Sequence, residues 1–179
     1  KVASYLSYDD EGNEVNGRFK QWFDELYREE RAKRPYYAEM LPEDPGDVRS
    51  AYFAEMRKKG KTTLVDSREG GGNANDETAY DLIMSGKEKL LDNSNPVRFI
   101  FSHSALKEGW DNPNVFQICM MRESSSENDR RQTIGRGLRL PVKQVGNDYV
   151  RIFDEQINQL TVIANESYRD FATNLQREY

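Results

Sequence analysis

The sequence holds a single cysteine and a single histidine among its 179 residues. One cysteine cannot form a disulfide framework or a cysteine-based zinc site within the chain, which favours the cytoplasm as its compartment. No apolar run is long enough to span a membrane, and no secretory signal is visible. The chain also starts without methionine, so we expect it to be a piece of a longer protein.

Two signatures of an autonomous ATPase are also missing. Residues 70–75 contain three consecutive glycines, but no Gly-Lys-Ser/Thr follows them, so they do not form a phosphate-cradling Walker A loop. We interpret them as a flexible connection. No Asp-Glu-x-His box is present either, and no convincing pair of acids with a lysine indicates DNA cleavage. The chain alone is therefore not expected to hydrolyse ATP.

The composition is polar and mildly acidic. The formal net charge is −5, and charged residues make up 32% of the chain. A DNA-binding protein is more often basic overall, but a local cationic cluster would suffice for contact with phosphates. Aromatic residues reach 11%, which argues against disorder and, at this length, predicts one compact domain with a core.

The first half of the chain has one strong helical pattern. Phe19, Trp22, Phe23 and Leu26 have the spacing of a single apolar stripe, which predicts a core-facing helix over residues 16–34. Pro35 should end that helix. Residues 35–75 are expected to be an irregular insertion or loop region, in which a short helix near residues 50–58 and a strand at 62–66 would be the only regular elements.

The second half alternates between strand and helix patterns. Near-continuous apolar runs at 97–102, 115–121 and 160–164 are typical of strands covered on both faces. Helices are predicted after residue 76, over 129–140 and over 166–179. This alternation indicates an α/β fold with a parallel sheet and helices on both faces. Ligands of such sheets bind at the carboxyl ends of the strands.

The first candidate site follows the strand pattern at 97–102. Gly109 would let the backbone approach a ligand closely. Asp111 could accept hydrogen bonds from a ribose hydroxyl or hold a water near a metal. The alternative is a plain connection between strands, in which Asp111 is an ordinary turn residue. Taken alone, this segment favours the plain connection.

The second candidate site, residues 130–139, combines arginines and glycines with no acid among them. Arg136 and Arg139 would project from one face of a helix. Gly135 and Gly137 each cost about 1 kcal/mol in a helix interior relative to alanine, and close packing against a partner or a phosphate would offset that cost. Paired guanidinium groups suit a transferring γ-phosphoryl group. The alternative is a basic solvated face.

The two segments, in this order, resemble motifs V and VI of superfamily-two helicases and translocases. Residues 105–113 are similar to motif V, and the pattern Gln132-x-x-Gly135-Arg136-x-x-Arg139 is similar to motif VI. Outside the motifs, nearly the whole chain resembles the restriction (Res) subunit of type III restriction enzymes.

This resemblance implies a three-layer RecA-like fold with a mostly parallel sheet, whose first strand we expect to be missing or cut short. Residues 1–179 would form the second RecA-like motor domain of an ATP-dependent DNA translocase and endonuclease. ATP and Mg²⁺ would be bound mainly by the first RecA-like domain. The expected partners are double-stranded DNA, that first domain, a nuclease domain of the same chain and the methyltransferase (Mod) subunit.

The resemblance also implies roles for individual residues. Arg136 and Arg139 would be arginine fingers, and Gln132 would place the γ-phosphate or the attacking water. The residues expected beside the nucleotide are Gly109, Asp111 and Gly135. Those expected to contact DNA phosphates are Ser102, Ser104 and Lys107.

Two other interpretations remain open at this point. The chain could be a motor domain of another superfamily-two DNA or RNA helicase, although the likeness outside the motifs argues against it. It could also be a degenerate RecA-like module that only binds a protein partner. The lone histidine, His103, is not expected to act in catalysis, and Cys119, within an apolar strand pattern, is expected to be part of the core.

Overall fold

The computed structural model of the chain describes residues 1–58, 61–66, 89–92, 94–102, 112–121, 131–132, 134–135, 137–163, 170 and 173. They form a mixture of helices and strands that includes parallel strand pairs, as an α/β fold requires. The chain divides into two compact units, Lys1–Gly109 and Trp110–Tyr179. The glycine-rich connection at 70–75 lies outside the described residues. Of the helix predicted after residue 76, residues 89–91 are described, and they are helical.

The first unit begins with a 3-10 turn and contains, within its described residues, three complete helices, the helical residues 89–91 and six strands. The helices are α1 (Arg18–Lys33), α2 (Pro35–Met40) and α3 (Pro45–Val48). The strands are β1 (Leu6–Tyr8), β2 (Glu14–Asn16), β3 (Arg49–Tyr52), β4 (Ala54–Lys58), β5 (Lys61–Val65) and β6 (Phe99–Ser102). Strand β3 runs parallel to β6, while β1–β2 and β4–β5 are antiparallel pairs.

The turn between β1 and β2 is organised by one carboxylate. Asp9 accepts hydrogen bonds from the backbone N–H groups of Asn13 and Glu11, at 2.8 and 3.0 Å, and from the Asn13 side chain. These bonds, those from Asn13 above all, lower the pKa of Asp9 below its ordinary value. Gly12 adopts a positive φ of 82° in this turn. Residues 9–13 therefore form a tight connection between the two strands.

Helix α1 confirms the helix predicted over 16–34, but the predicted core stripe is partly wrong. Trp22 and Leu26 are 49% and 57% exposed. The buried side is rotated toward Tyr27, whose hydroxyl donates a hydrogen bond to the Pro42 carbonyl at 2.6 Å. The rotation has a local cause, since the chain after Pro35 folds back on the Tyr27 side, where Arg31 also donates to backbone carbonyls.

Aromatic rings join α1 to β6 and to the start of the chain. The Phe23 ring lies 4.9 Å from the Phe99 ring and 5.4 Å from the Phe101 ring, both edge-on. Tyr5 in turn packs against Phe101 and Phe53, with ring centroids 4.8 and 5.3 Å apart. Edge-on and tilted aromatic pairs stabilise a core beyond the area they bury. This cluster fixes α1 against the β3–β6 pair.

An ion pair with little solvent exposure ties α1 to β3. Arg49 donates to both carboxylate oxygens of Asp24, at 2.8 and 3.1 Å, and to the Tyr5 hydroxyl at 3.2 Å. Burial acts to lower the pKa of Arg49, but the hydrogen bonds and charges of Asp24 and Tyr5 outweigh it and raise that pKa. Burial also raises the pKa of Tyr5.

The short helix expected near residues 50–58 is wrong, because these residues form β3 and β4. The segment before them is also more regular than the sequence suggests, since it contains α2 and α3. Pairing with partners distant in the sequence decides the strand conformation: Arg49 stands opposite Phe99 in β6, and Ala54 opposite Val65 in β5. The strand predicted at 62–66 is confirmed as β5.

The second unit has four strands within its described residues, namely β7 (Gln117–Cys119), β8 (Val142–Val145), β9 (Asp148–Arg151) and β10 (Thr161–Ile163). Strands β7 and β10 are parallel, which confirms strands at 115–121 and 160–164. Strands β8 and β9 form an antiparallel hairpin that the sequence interpretation missed. The described residues of the predicted helices at 129–140 and 166–179 are helical up to Gly137 and at 170 and 173.

The prediction that Cys119 belongs to the core is wrong, because its side chain is exposed. Strand β7 alternates, with Ile118 half-buried and its neighbours Gln117 and Cys119 exposed. On β10 the same alternation leaves Ile163 54% exposed. An apolar run predicts a strand covered on both faces, but one face of this pair is open to solvent.

Removing the buried carboxylate from α1 should destabilise the first unit. In Asp24→Asn, Arg49 keeps its charge and loses its counter-ion in a place where its side chain is only 14% exposed. We expect a loss of about 2 kcal/mol in the free energy of unfolding, measured by urea denaturation. Glu29→Gln is the matched control, because Glu29 pairs with Lys33 at the surface, and it should cost less than about 0.5 kcal/mol. Equal losses in the two variants would contradict this view of the pair.

Candidate nucleotide-facing site

The helical segment at 131–137 is anchored to the parallel pair β7–β10 by its apolar side. Ile134 is buried and packs against Met120, Leu160 and Val162. Gly137, one turn further along, is also buried and meets Leu160. Residues three apart share one face of a helix, so these two positions form the inward face of the segment.

The predicted catalytic residues within the described part of the segment lie on its other side. Gln132 and Gly135 are helical and exposed, and Arg139 is exposed just beyond the last helical residue. The anchoring of Ile134 and Gly137 forces this arrangement, because the remaining positions must then face away from β10. The sequence pattern therefore places an amide and a guanidinium toward solvent on a firmly seated element.

The two glycines of the segment have different surroundings. A Cβ atom at Gly137 would come within 2.5 and 2.7 Å of the two terminal methyl carbons of Leu160, so the Leu160 side chain would have to move to admit it. A Cβ at Gly135 would meet nothing within 4 Å. Packing inside the protein therefore accounts for Gly137. Gly135 has no such explanation within the unit, and its missing side chain leaves open space on the exposed face.

Arg139 lines a cleft of about 240 Å³ in the second unit. Three stretches form the walls: residues 113–116 before β7, residues 137–141 after the helical segment, and residues 157–160 before β10. The walls are mainly apolar, with Phe116, Leu138 and Ile157 partly exposed. The cleft lies at the amino ends of β7 and β10, whereas the sequence argument expects ligands at the carboxyl ends.

An asparagine pair shapes the wall before β7. Asn112 is 5% exposed, and its side-chain oxygen accepts a hydrogen bond from the Asn114 N–H at 2.8 Å. Asn114 then reaches the start of β8: its Nδ2 donates to the Val142 carbonyl at 3.0 Å, and its Oδ1 accepts from the Val142 N–H at 2.8 Å. The sequence interpretation missed both residues, although asparagines around Pro113 are a turn signal.

The structure separates the predicted site residues into three groups. Gln132, Gly135 and Arg139 belong to the second unit and are all exposed, the first two on the helical segment and Arg139 just after it. Ser102 is the last residue of β6 in the first unit and is half-buried. The remaining predicted residues, which lie outside the described residues, are Gly109, Asp111, Arg136, Ser104 and Lys107.

Two features are absent from the described part of the chain. No group of three or more histidine, cysteine, aspartate or glutamate side chains there is arranged to hold a metal ion. Among the same residues, no helix is both long and apolar enough to cross a membrane.

The two glycines should respond oppositely to alanine. Gly137→Ala should lower the free energy of unfolding by about 2 kcal/mol, because the added methyl group overlaps Leu160. Gly135→Ala should raise it by up to about 1 kcal/mol, because alanine is the better helix former and the added carbon has room. Thermal or urea unfolding of the two variants measures the difference. A destabilised Gly135→Ala would show that this position is packed.

Three curated proteins are similar to this chain, and each is named as the Res subunit of a type III restriction-modification enzyme. They are the EcoP15I Res subunit of Escherichia coli, the EcoPI Res subunit of Escherichia phage P1 and the StyLTI Res subunit of Salmonella typhimurium. Identity is 36% over 75% of this chain in each case, and the match spans 13–14% of the length of each relative. No family model matches the chain, and no solved structure matches it. The resemblance to the Res subunit of type III restriction enzymes is confirmed.

Proposed function

From this similarity to type III Res subunits, we propose that the chain is the second RecA-like motor domain of an ATP-dependent DNA translocase and endonuclease. In this role, Arg139, together with Arg136, is an arginine finger that reaches ATP held by a first RecA-like domain. The observation that carries the proposal is the placement of Arg139: it is exposed directly after a helical segment that is held against β10 by Ile134 and Gly137.

A seated arginine suits this chemistry because phosphoryl transfer depends on positioned positive charge. Guanidinium stays protonated and offers donors in a plane that matches phosphate oxygens. The positive charge stabilises the transferring phosphoryl group most when the arginine is already in position, so that the protein need not rearrange during the reaction. The buried contacts of Ile134 and Gly137 lower that cost by fixing the backbone on which Arg139 lies.

The surroundings of Gly135 support the same assignment. Gly135 is exposed and has open space where a side chain would stand, so a phosphate or a second domain can come close to the helix backbone there. Gln132, one turn earlier and also exposed, is proposed to orient the γ-phosphate or the attacking water. By resemblance, Gly109 and Asp111 would border the ribose.

The nucleotide itself would be held elsewhere. ATP and Mg²⁺ are proposed to bind mainly to the first RecA-like domain, and this chain would supply Arg139, Arg136 and Gln132 to the nucleotide. Ser102, at the carboxyl end of β6, is proposed to contact a DNA phosphate through its hydroxyl, together with Ser104 and Lys107. The nuclease domain and the Mod subunit are the further proposed partners.

Another superfamily-two helicase is the second candidate. It is less well supported, because all three similar proteins carry the same type III Res description. A degenerate protein-binding module is the third, and it predicts no dependence of any ATPase on Arg139.

Loss of the proposed finger should abolish turnover. In the complete protein with its Mod partner, Arg139→Ala should lower DNA-stimulated ATPase by about 10³-fold while ATP binding is largely retained. The control is Arg151→Ala, which removes an exposed arginine on β9 of the same unit and should leave turnover within about twofold. Single-turnover hydrolysis and nucleotide titration separate the two quantities.

Unchanged hydrolysis in Arg139→Ala would overturn the assignment of Arg139 as a finger. Retained hydrolysis in both Arg139→Ala and Arg136→Ala would favour the binding module. A loss of ATP binding equal to the loss of turnover would show that Arg139 holds the ground state instead.

Gly135→Ala gives a second and independent test. The added methyl group has room within the unit, so the variant should fold at least as well as the wild type. A loss of ATPase activity would therefore report on what approaches the helix from outside. If that is a phosphate or the first motor domain, DNA-stimulated ATPase should fall at least about tenfold with no loss of thermal stability. Full activity in Gly135→Ala would mean that nothing approaches this face closely during turnover.

A further inference from the structure

The Asn114 side chain takes the place of a neighbouring strand at the start of the β8–β9 hairpin. The Ile152 N–H donates to the Pro141 carbonyl at 2.8 Å, so Pro141 and Ile152 form a hydrogen-bonded pair just before β8. Antiparallel pairs alternate, so the next pair, Val142 with Arg151, has its N–H and C=O groups directed away from each other. Asn114 satisfies both outward groups of Val142 with one amide.

This arrangement needs both ends of the amide. Val142 presents one donor and one acceptor, and the asparagine amide offers the matching acceptor and donor on two different atoms, Oδ1 and Nδ2. The backbone of Asn114 is itself held by Asn112, whose side chain is almost fully buried. Asn114 is therefore held at its backbone by Asn112 and at its side chain by Val142.

The chain between Val142 and Arg139 is short and stiff. Pro141 is among the most deeply buried side chains of the protein, and its ring fixes its own φ. A proline also restricts the backbone of the residue before it, here Leu140. A displacement of Val142 would therefore be transmitted to Arg139 with little absorbed on the way.

Arg139 is thus held from both sides. Two residues before it, Gly137 is seated on Leu160, and two residues after it, Pro141 leads into the contact with Asn114. Pro113 and Val115, the neighbours of Asn114, form the cleft wall that faces Arg139. The hydrogen bonds from Asn114 to Val142 fix the spacing between this wall and the backbone that carries the arginine.

We infer that Asn114 is a positioning residue for Arg139, which acts by holding Val142 so that the guanidinium meets the nucleotide at the correct distance. The inference rests on the proposed finger role of Arg139. In the sequence, Asn114 directly follows the motif V segment, and Val142 lies three residues after Arg139, the last residue of the motif VI pattern.

A double-substitution cycle in the complete protein with Mod tests the inference. Asn114→Leu keeps the branched shape and the number of side-chain heavy atoms, with a somewhat larger volume, and removes both hydrogen bonds. We expect DNA-stimulated turnover to fall between about 10- and 100-fold with little change in KM for ATP, because small displacements of a positioned group are costly. In an Arg139→Lys background, which retains a charge and a measurable rate, Asn114→Leu should lower turnover less than threefold. Gln156→Leu, at an exposed amide in the same unit, is the control and should leave turnover unchanged.

The outcomes of the cycle are distinguishable. If Arg139→Lys alone leaves turnover unchanged, the proposed finger role of Arg139 fails, and the positioning inference that rests on it fails too. If Arg139→Lys lowers turnover but Asn114→Leu does not, only the positioning role fails. Equal fold-losses from Asn114→Leu in both backgrounds would show that Asn114 acts independently of Arg139, and would also overturn the inference.

Asn114→Asp keeps the test open if the leucine variant does not fold. The introduced carboxyl can donate to the Val142 carbonyl only when protonated, so that contact raises its pKa above the ordinary value. At pH values below this raised pKa, the carboxyl is protonated and can donate to the Val142 carbonyl. The hydrogen bond is lost as the pH rises through the pKa. The ratio of variant to wild-type turnover should therefore be highest near pH 5.5 and fall at least about fivefold by pH 8. The wild type has the same other titratable groups as the variant, including Asp154 and Arg151, so their effects cancel in the ratio. A ratio that does not change with pH would contradict the role of the hydrogen bonds between residue 114 and Val142.

Discussion

The approach of the helical segment to β10 is the constraint on which the second unit depends. The absence of a side chain at Gly137 lets Leu160 fill the space beside the helix, and Ile134 completes the same contact with Met120 and Val162. Because Ile134 and Gly137 face the strands, Gln132 and Gly135 face outward. The backbone that leads to Arg139 is held in place by the same contacts. The packing of Ile134 and Gly137 thus determines that Gln132 and Arg139 are exposed to solvent.

The first unit is fixed by a different kind of interaction. Its aromatic cluster is not specific in direction, whereas the fork of hydrogen bonds from Arg49 to Asp24 and Tyr5 permits only one relation between α1 and β3. The neighbouring β3–β6 pair carries Ser102 at its last position, so the orientation of α1 also governs how the end of β6 is supported. Each unit therefore combines apolar packing with one directional polar contact, Arg49 in the first and Asn114 in the second.

Local patterns in the sequence were sufficient for some of these features. Periodicity predicted α1, and apolar runs predicted β6, β7 and β10, because these signals depend on which residues neighbour each other along the chain. Strands β3 and β4 could not be found in this way, because their conformation is set by pairing with β6 and β5, which are distant in sequence. The exposure of Trp22 and Cys119 was missed for a related reason, since a pattern shows that a face is apolar but not whether another element covers it.

The β8–β9 hairpin is a different case, because the signal was present. Gly146 and Asn147 separate two short strands, and Gly146 has a positive φ of 65°, as tight hairpin turns require. The sequence alone was enough to identify the arginines, glycines and glutamine of the candidate site. The two-sided contact of Asn114 with Val142 was not, because it depends on which backbone groups the hairpin leaves unpaired.

The exposed thiol of Cys119 has a practical consequence for following this unit in solution. It is the single cysteine of the 179 residues, and the next residue, Met120, packs against Ile134 of the helical segment. A maleimide fluorophore attached there would report on the environment of β7 within this stretch of chain without any substitution. Movement of the helical segment against β7 would then be visible as a change in emission.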